Sequence, residues 1–296
     1  MQTELIHTPT DDKKTDALAA AIGCHRIVAH LLVSRGIDSE KEARFFLKPT
    51  FERLSNPFDL KDMDKACERI YQAVINREKI LIFGDFDADG VTATALILEF
   101  LTLVEADVAW YIPHRSKEGY SIQPDHIAMA AETDVDLIIT VDCGITSHDA
   151  VTLAANEDID VIVTDHHEPG ATLPKALAVI NPKRSDCASG LYFLAGVGVA
   201  FFLVMALRKT FRENNLWEKF GEPGLLGFLD LFALGTIGDM VPLINDNRVL
   251  CLAGLRQLRK GSRPGIQTLA QAARLDLNQL DADDISFKPV SYTHLT

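Results

Sequence analysis

Several features that would assign a chain quickly to a class are missing here. The five cysteines (Cys24, Cys67, Cys143, Cys187, Cys251) are scattered and include no C-x-x-C pair, so neither a cysteine zinc site nor a disulfide framework is indicated. There is no G-x-x-x-x-G-K-[ST] segment, and Gly196-Val-Gly198 is too little for a dinucleotide fingerprint. No internal repeat or low-complexity tract is present. The opening residues, Met1-Gln-Thr-Glu-Leu-Ile-His7, hold no basic stretch followed by an apolar one, so the expectation is a protein of the reducing cytoplasm. Cations are scarce as well: 29 Lys and Arg stand against 42 Asp and Glu, a net charge of −13. Such a deficit ordinarily argues against a nucleic-acid partner, because phosphate binding rests on clustered Lys and Arg. That exclusion loses force if divalent cations supply the positive charge, since an acidic cleft holding two of them attracts a polyanion locally.

One uncharged stretch, Cys187 to Leu207, reaches the roughly 17 to 25 residues needed to span a bilayer. Ser189-Gly190 begins it, Gly196 and Gly198 interrupt it, and no aromatic or basic belt flanks it on both sides. It reads as a buried core helix, and no membrane association is expected.

What the chain does have is 296 residues, 47% of them apolar, enough to bury a substantial core in one large or two smaller domains. Three runs, Ile80–Phe83, Leu137–Val141 and Val161–Thr164, are short, β-branched and nearly uninterrupted, as strands covered on both faces of a parallel sheet are. Strands are expected at 79–83, 107–112, 136–141, 160–164 and 177–180. Crossover helices are expected at 91–103, 124–132 and 147–157, with a further helix over 62–76 before the first strand. The first sixty residues read as helical, with spaced apolar positions over 17–34 and a short helix over 39–47 closed by Lys48-Pro49. After Asn181-Pro182 the pattern is mainly helical: 191–213, 222–235, 246–260 and 264–273. The expected fold is therefore α/β: a parallel five-stranded sheet flanked by helices, with an amino-terminal helical extension and a helical carboxyl-terminal part.

Four acidic or histidine-bearing segments follow or sit near apolar runs. In open α/β sheets the crevice beyond the carboxyl ends of the strands collects such residues into one site. Asp85-x-Asp87-x-Asp89-Gly90 matches the opening of an EF-hand loop, but the twelfth position is Leu96 where a bidentate Glu is needed, and a strand precedes it where an EF-hand has a helix. As a strand-to-helix turn it presents Asp85 and Asp87 on one side, suited to cations; a helix cap alone needs a single acid. Asp142 emerges at the same edge, although an Asx turn would look alike locally. In Asp165-His166-His167-Glu168 the neighbouring imidazoles point apart, so one can bind metal while the other faces substrate, with a carboxylate orienting the ring. Asp239 sits at a break before Pro242, where a helix cap is the alternative. Arg115, on the loop after the second strand, has the fork geometry to meet a phosphate. Oxygen donors with one or two imidazoles suit Mn²⁺ or Mg²⁺, and a pair of such ions suits phosphodiester hydrolysis.

In order along the chain, Gly84-Asp-Phe-Asp-Ala-Asp-Gly-Val-Thr92, Val141-Asp-Cys-Gly-Ile-Thr146, Thr164-Asp-His-His-Glu168, Ile180-Asn-Pro-Lys183, Leu194-Ala-Gly-Val-Gly-Val-Ala-Phe201 and Gly238-Asp-Met-Val-Pro-Leu243 resemble the DHH phosphoesterase superfamily. The similarity runs from about Phe45 to Phe287. It implies two Mn²⁺ or Mg²⁺ ions held by Asp85, Asp87, Asp142, His166 and Asp239, with His167 beside the scissile phosphate and Asp89 a further catalytic acid. It also implies substrate contacts at Asn181, Gly196 and Gly198. The branch it resembles most digests single-stranded DNA from the 5′ end during recombination and repair, alongside single-strand-binding and repair proteins. Other branches act on oligoribonucleotides, cyclic dinucleotides or pyrophosphate, and a non-catalytic replication scaffold is a third possibility. The implied division is an extension over 1–60 and a catalytic domain over 61–287. Past Ile285-Ser-Phe287 that branch continues into a Gly-Pro-Arg-x-Asn-Ala-Ala-Gly-Arg segment, a DHH-associated domain and an oligonucleotide-binding barrel. Here Lys288-Pro-Val-Ser-Tyr-Thr-His-Leu-Thr296 follows instead, so the expectation is a fragment whose residues 288–296 are a non-native tail.

Overall fold

A computed structural model describes residues 9–287, and the tail expected over 288–296 lies outside them. The described residues divide into two units: one of 9–54 with 244–249, the other of 55–243 with 250–287.

The first unit is helical. Helices α1 (Asp12–Ile22), α2 (Arg26–Val33) and α3 (Glu40–Leu47) close on a small core of Leu18, Ala29, Leu32 and Ala43. The stretch expected to be helical over 17–34 is two helices, because Gly23 takes a left-handed conformation (φ 68°) and returns its N–H to the Ala19 carbonyl. His25 then opens α2 by accepting from the Ile27 N–H. Ser39 caps α3, accepting from the Glu42 N–H while its hydroxyl meets the Glu42 carboxylate. Arg248 joins this unit by donating to the Phe46 carbonyl (2.6 Å) and lying 3.7 Å from the centre of the Phe46 ring.

In the second unit, α4 (Met63–Asn76) leads into β1 (Ile80–Gly84), α5 (Ala88–Thr102), β2 (Val108–Tyr111), α6 (Pro124–Glu132), β3 (Leu137–Val141), α7 (His148–Asn156), β4 (Asp160–Thr164) and β5 (Ala178–Ile180). The five strands form one parallel sheet in the order β2-β1-β3-β4-β5, so the expected sheet is present within a residue or two at each strand. Alternation places Leu81, Phe83, Ile138, Val161 and Val163 on one face, packed with Ile127 of α6 and Val151 of α7. On the other side α5 packs against α8 (Gly196–Glu213) and α10 (Leu229–Gly238). There Phe100, Phe211, Trp217 and Phe228 form an aromatic cluster. The short α9 (Trp217–Phe220) supplies Trp217, and α11 (Asn245–Leu258), which belongs to this unit from residue 250 onward, α12 (Pro264–Ala272) and α13 (Ala282–Phe287) complete the helical part.

Three helix starts in this unit differ from expectation: α5, expected from 91, begins at Ala88, where Asp87 caps it, and two others begin later than expected. The helix expected from 222 begins as α10 at 229, since Pro223, Gly224 and Gly227 allow only a 3₁₀ turn over Leu225–Phe228. The helix expected from 191 begins at Gly196. Its first two N–H groups, of Gly196 and Val197, are taken by the two oxygens of Asp89, which lies 107 positions earlier than Gly196 (2.6 and 2.8 Å). The uncharged stretch is thus core: α8 is buried along most of its length, and among the described residues no single helix is long and apolar enough to cross a membrane.

Candidate metal centre

Sheet register builds the site. Gly84 of β1 is paired with Val141 of β3, Val141 with Thr164 of β4, and Thr164 with Ile180 of β5. The next residue on each strand is therefore Asp85, Asp142, Asp165 and Asn181, a polar row along the carboxyl edge. Backbone pairing continues into it, from Asp142 N–H to the Thr164 carbonyl (3.0 Å) and from Asp165 N–H to the Ile180 carbonyl (3.1 Å). The strand order reverses between β1 and β3, so the row crosses the switch point where α/β sheets open a crevice.

Close backbone approach lets the acids meet. A side chain at Gly90 would put a Cβ 2.6 Å from the Asp85 carbonyl oxygen, and one at Gly196 would come within 2.5 Å of Asp142 Oδ1. Asp142 itself adopts a left-handed backbone (φ 61°), a conformation Asp tolerates better than most residues. Asp87 caps α5, one oxygen accepting from the N–H groups of Asp89 and Gly90.

Three overlapping groups of donor atoms result, each lying within 4.8 Å: Asp85, Asp87 and Asp142; Asp89, His166 and Asp239; Asp142, His166 and His167. His166 Nε2 is central, 3.2 Å from Asp142 Oδ1 and 3.7 Å from both Asp89 Oδ2 and Asp239 Oδ2. Asp239 arrives at the carboxyl end of α10. The five residues expected as metal ligands thus lie together, with Asp142 shared between the group on the β1 turn and the group at His166. Two adjacent cation positions could be served.

Electrostatics separate the residues by role. Burial first, then the neighbouring Asp87 charge, pushes Asp85 up to about 6, and the same two causes push Asp239 up to about 6. Burial and the charge of Asp89 raise Asp142 well above the usual carboxylate range. Burial, then His167, pushes His166 down to about 4, leaving a neutral imidazole. The buried atoms Asp85 Oδ1, Asp142 Oδ1 and His166 Nε2 have no hydrogen-bond partner. Carboxylates that repel one another in a dry setting, facing a neutral imidazole and left unpaired, form a donor set that a divalent cation satisfies.

His167 is treated oppositely. Its Nδ1 lies 2.8 Å from Asp165 Oδ1, and this hydrogen bond raises its pKa despite partial burial. Burial disfavours the Asp165 anion, but hydrogen bonds from His167 and the Ile145 N–H outweigh that and hold it below the usual range. The Tyr120 hydroxyl lies 3.1 Å from the same Nδ1 and donates to the Asp142 carbonyl at 3.4 Å. The His167 side chain remains 45% exposed against 7% for His166, so it alone of the pair faces outward.

Four residues expected at the site, Asp89, Asn181, Gly196 and Gly198, are also tied into the fold. Asp89, expected as a catalytic acid, is enclosed, and both oxygens accept backbone N–H bonds that fix the start of α8. Asn181, expected to touch substrate, is fully buried; its Nδ2 donates to the His167 carbonyl (2.9 Å) and its Oδ1 accepts from Lys183 N–H, which holds the histidine loop. Gly196 and Gly198 are likewise inside: the first gives its N–H to Asp89 beside Asp142, and the second leaves room for Leu194. Arg115 is exposed, with its guanidinium carbon 5.2 Å from the ring centre of Phe86, in the turn between Asp85 and Asp87. Sequence reasoning passed over Asp165 as a site residue although it opens the Asp-His-His triplet. It also passed over Tyr120 and Lys183, whose charge disfavours protonation of His166 and Asp239.

The model of the DHH family, N-terminal domain, matches residues 79–236. The single-stranded-DNA-specific exonuclease RecJ of Dickeya dadantii is 42% identical over 291 residues, covering 96% of this chain and 49% of that protein. The crystal structure of RecJ in complex with Mn²⁺ from Thermus thermophilus superposes with a TM-score of 0.73 at 31% identity, over 93% of this chain and 37% of that one. The crystal structure of exonuclease RecJ bound to manganese gives 0.67 at 36% identity, over 78% and 56%. The chain spans about half or less of the length of these curated relatives.

Proposed function

This chain belongs to the DHH family, and from that premise we propose that it is a metal-dependent phosphodiesterase, a 5′-to-3′ exonuclease on single-stranded DNA. One observation carries the reading: buried donors of Asp85, Asp142 and His166 stand unpaired in neighbouring donor groups that share Asp142, in a chain similar to proteins solved with Mn²⁺ or Mg²⁺. In the proposal, residues 61–287 form the catalytic domain and Asp85, Asp87, Asp142, His166 and Asp239 hold two Mn²⁺ or Mg²⁺ ions. Bound there, such ions supply Lewis acidity toward phosphoryl oxygens and acidify water.

The chain's own residues do the rest. Asp165 and Asn181 hold the loop of His167 from two sides, through the ring Nδ1 and the backbone carbonyl. With its pKa raised by Asp165, His167 keeps a proton to present toward a non-bridging or leaving oxygen of the phosphate. Tyr120 stands against the His167 ring edge and limits its rotation. Arg115, on the exposed loop beside the Asp85–Asp87 turn, is placed to meet a neighbouring phosphate. The neutral state of His166 keeps its ring nitrogen available as a donor to metal.

A cytoplasmic setting in recombination and repair, with single-strand-binding proteins as partners, belongs to the same proposal. The test is release of mononucleotides from a 5′-labelled single strand with Mn²⁺ and with EDTA. Release with Mn²⁺ alone, absent on duplex, is the expected result. Turnover in EDTA, or hydrolysis confined to cyclic dinucleotides or pyrophosphate, would remove the reading.

A further inference from the structure

The amino-terminal unit departs from the acidity of the chain. Residues 1–54 contain eight acids and eight Lys or Arg, so the whole net charge of −13 is carried by the remainder. Within that neutral unit the charges are sorted. A groove of about 460 Å³ is lined by Ile22, Lys41, Arg44, Phe45, Leu47, Lys48, Thr50 and Arg53, four cations and no acid. It runs along α3 and continues past its end: Lys41, Arg44 and Phe45, at spacings of three and four, share one face of the helix, and Lys48 is its C-cap residue.

The four cations are not equivalent. Arg44 is anchored, its Nε on Glu40 (2.8 Å) and its Nη2 on the Ala21 carbonyl (2.9 Å), and serves as a fixed wall. Arg53 lies over the Phe45 ring with its guanidinium carbon 4.4 Å from the centre, making a flat layered surface of arginine on aromatic. Lys41 and Lys48 are exposed at either side. Planar cation, aromatic ring and flanking ammonium groups are what a single strand uses: phosphates meet the lysines, and an unstacked base lies on a planar guanidinium or ring. The volume suits about one nucleotide, in the range of roughly 300 to 1,000 Å³ that small ligands occupy. A duplex, with its bases stacked inside, has no use for the planar surface.

We infer that this groove, on α3 and the segment 48–53, is a binding site for single-stranded nucleic acid, held by Lys41, Lys48 and Arg53 and distinct from the acidic centre. The identity of the polyanion rests on the exonuclease reading; the groove itself does not.

The test is fluorescence anisotropy of a labelled oligothymidylate of about 15 nucleotides, titrated with the whole chain in EDTA so that no strand is cut, across a series of salt concentrations. K41Q/K48Q/R53Q should weaken binding by about tenfold or more and flatten the log–log salt dependence by about 2, as removing three cations from the phosphates of a single strand requires. K13Q/K14Q, in the same unit but outside the groove, should leave both unchanged, and thermal melting should show all three proteins folded. Equal losses in the two variants, or none in either, would overturn the site. So would displacement of the oligonucleotide by an oligoglutamate peptide as readily as by unlabelled oligothymidylate. Mn²⁺-dependent hydrolysis of a dinucleotide, measured separately, reports on the acidic centre and should be unchanged in the groove variant. If the unaltered chain binds through the groove yet hydrolyses nothing, the exonuclease reading falls and the groove stands.

Discussion

At the carboxyl edge of the sheet, ionisable groups lie inside the protein with atoms left unpaired. In the amino-terminal unit they lie outside and pair with one another: Lys14 with Asp38, Arg26 with Asp12 and Asp16, Arg44 with Glu40. The exposed pairs are screened by water and contribute little to stability. The enclosed acids cost the fold something, since burial raises Asp85, Asp142 and Asp239, and Asp85 Oδ1 and Asp142 Oδ1 have no hydrogen-bond partner in the protein. The difference teaches where to look for function: in charges the fold keeps against its own interest, and, among the surface charges, in those sorted by sign.

The comparison breaks most sharply at Asp142. D142N should lower Mn²⁺-dependent hydrolysis on the order of 10³-fold or more. In EDTA the same variant should melt at or above the temperature of the unaltered chain, because one member of a repelling set is gone. A lower melting temperature in EDTA would show that Asp142 stabilises the fold after all. Next comes G196A. The added Cβ would press on the Asp142 carboxylate, so turnover should fall by about 10²-fold, as a misplacement near 1 Å produces. Unchanged turnover would mean that the helix start can retreat.

A smaller effect is expected from pH. Asp85 and Asp239 rise from the ordinary 3.8 to about 6, so the folded chain holds protons there that the unfolded chain has lost. In EDTA this contribution to stability is full below about pH 4 and is lost as pH rises through about 6. His166, pushed down to about 4, acts in the other sense and loses stability as pH falls below 6.5, partly offsetting the acids. Thermal melts in EDTA should therefore show a loss between about pH 4 and 6 that D85N/D239N largely removes. An identical pH profile in that double variant would exclude these two groups as its source. The smallest effect belongs to the surface: D38N, which breaks the pair with Lys14, should leave melting temperature and turnover unchanged within error.

Much of this arrangement was legible from local pattern. β1, β3 and β4 are apolar runs that stop at an acid, and a parallel register carries Asp85, Asp142 and Asp165 to one edge without further information. His166 and His167 were separable in advance because neighbours on an extended chain point apart, and their opposite pKa shifts follow from that. What local pattern could not reveal depends on distant partners. Asp89 looked like a third acid of its motif, yet its partners are the first N–H groups of a helix 107 positions away. Asn181 was expected as a substrate contact from the resemblance, and nothing local announces that its amide partner is the His167 carbonyl at another strand end. Tyr120 carried no signal at all, since a loop tyrosine resembles any other until a folded histidine stands beside it.

The bond from Asp89 to the start of α8 also bears on how the molecule comes into being. The donor set draws on segments from Asp85 to Asp239, and the helix beside Asp142 is begun by a residue made long before it. A chain still emerging from the ribosome, with β1, β3 and β4 already synthesised, has neither its last carboxylate nor the capped helix that crowds Asp142 into place. Ripening is thus written into the connectivity: the donor set is complete only once the segment bearing Asp239 has been made and packed.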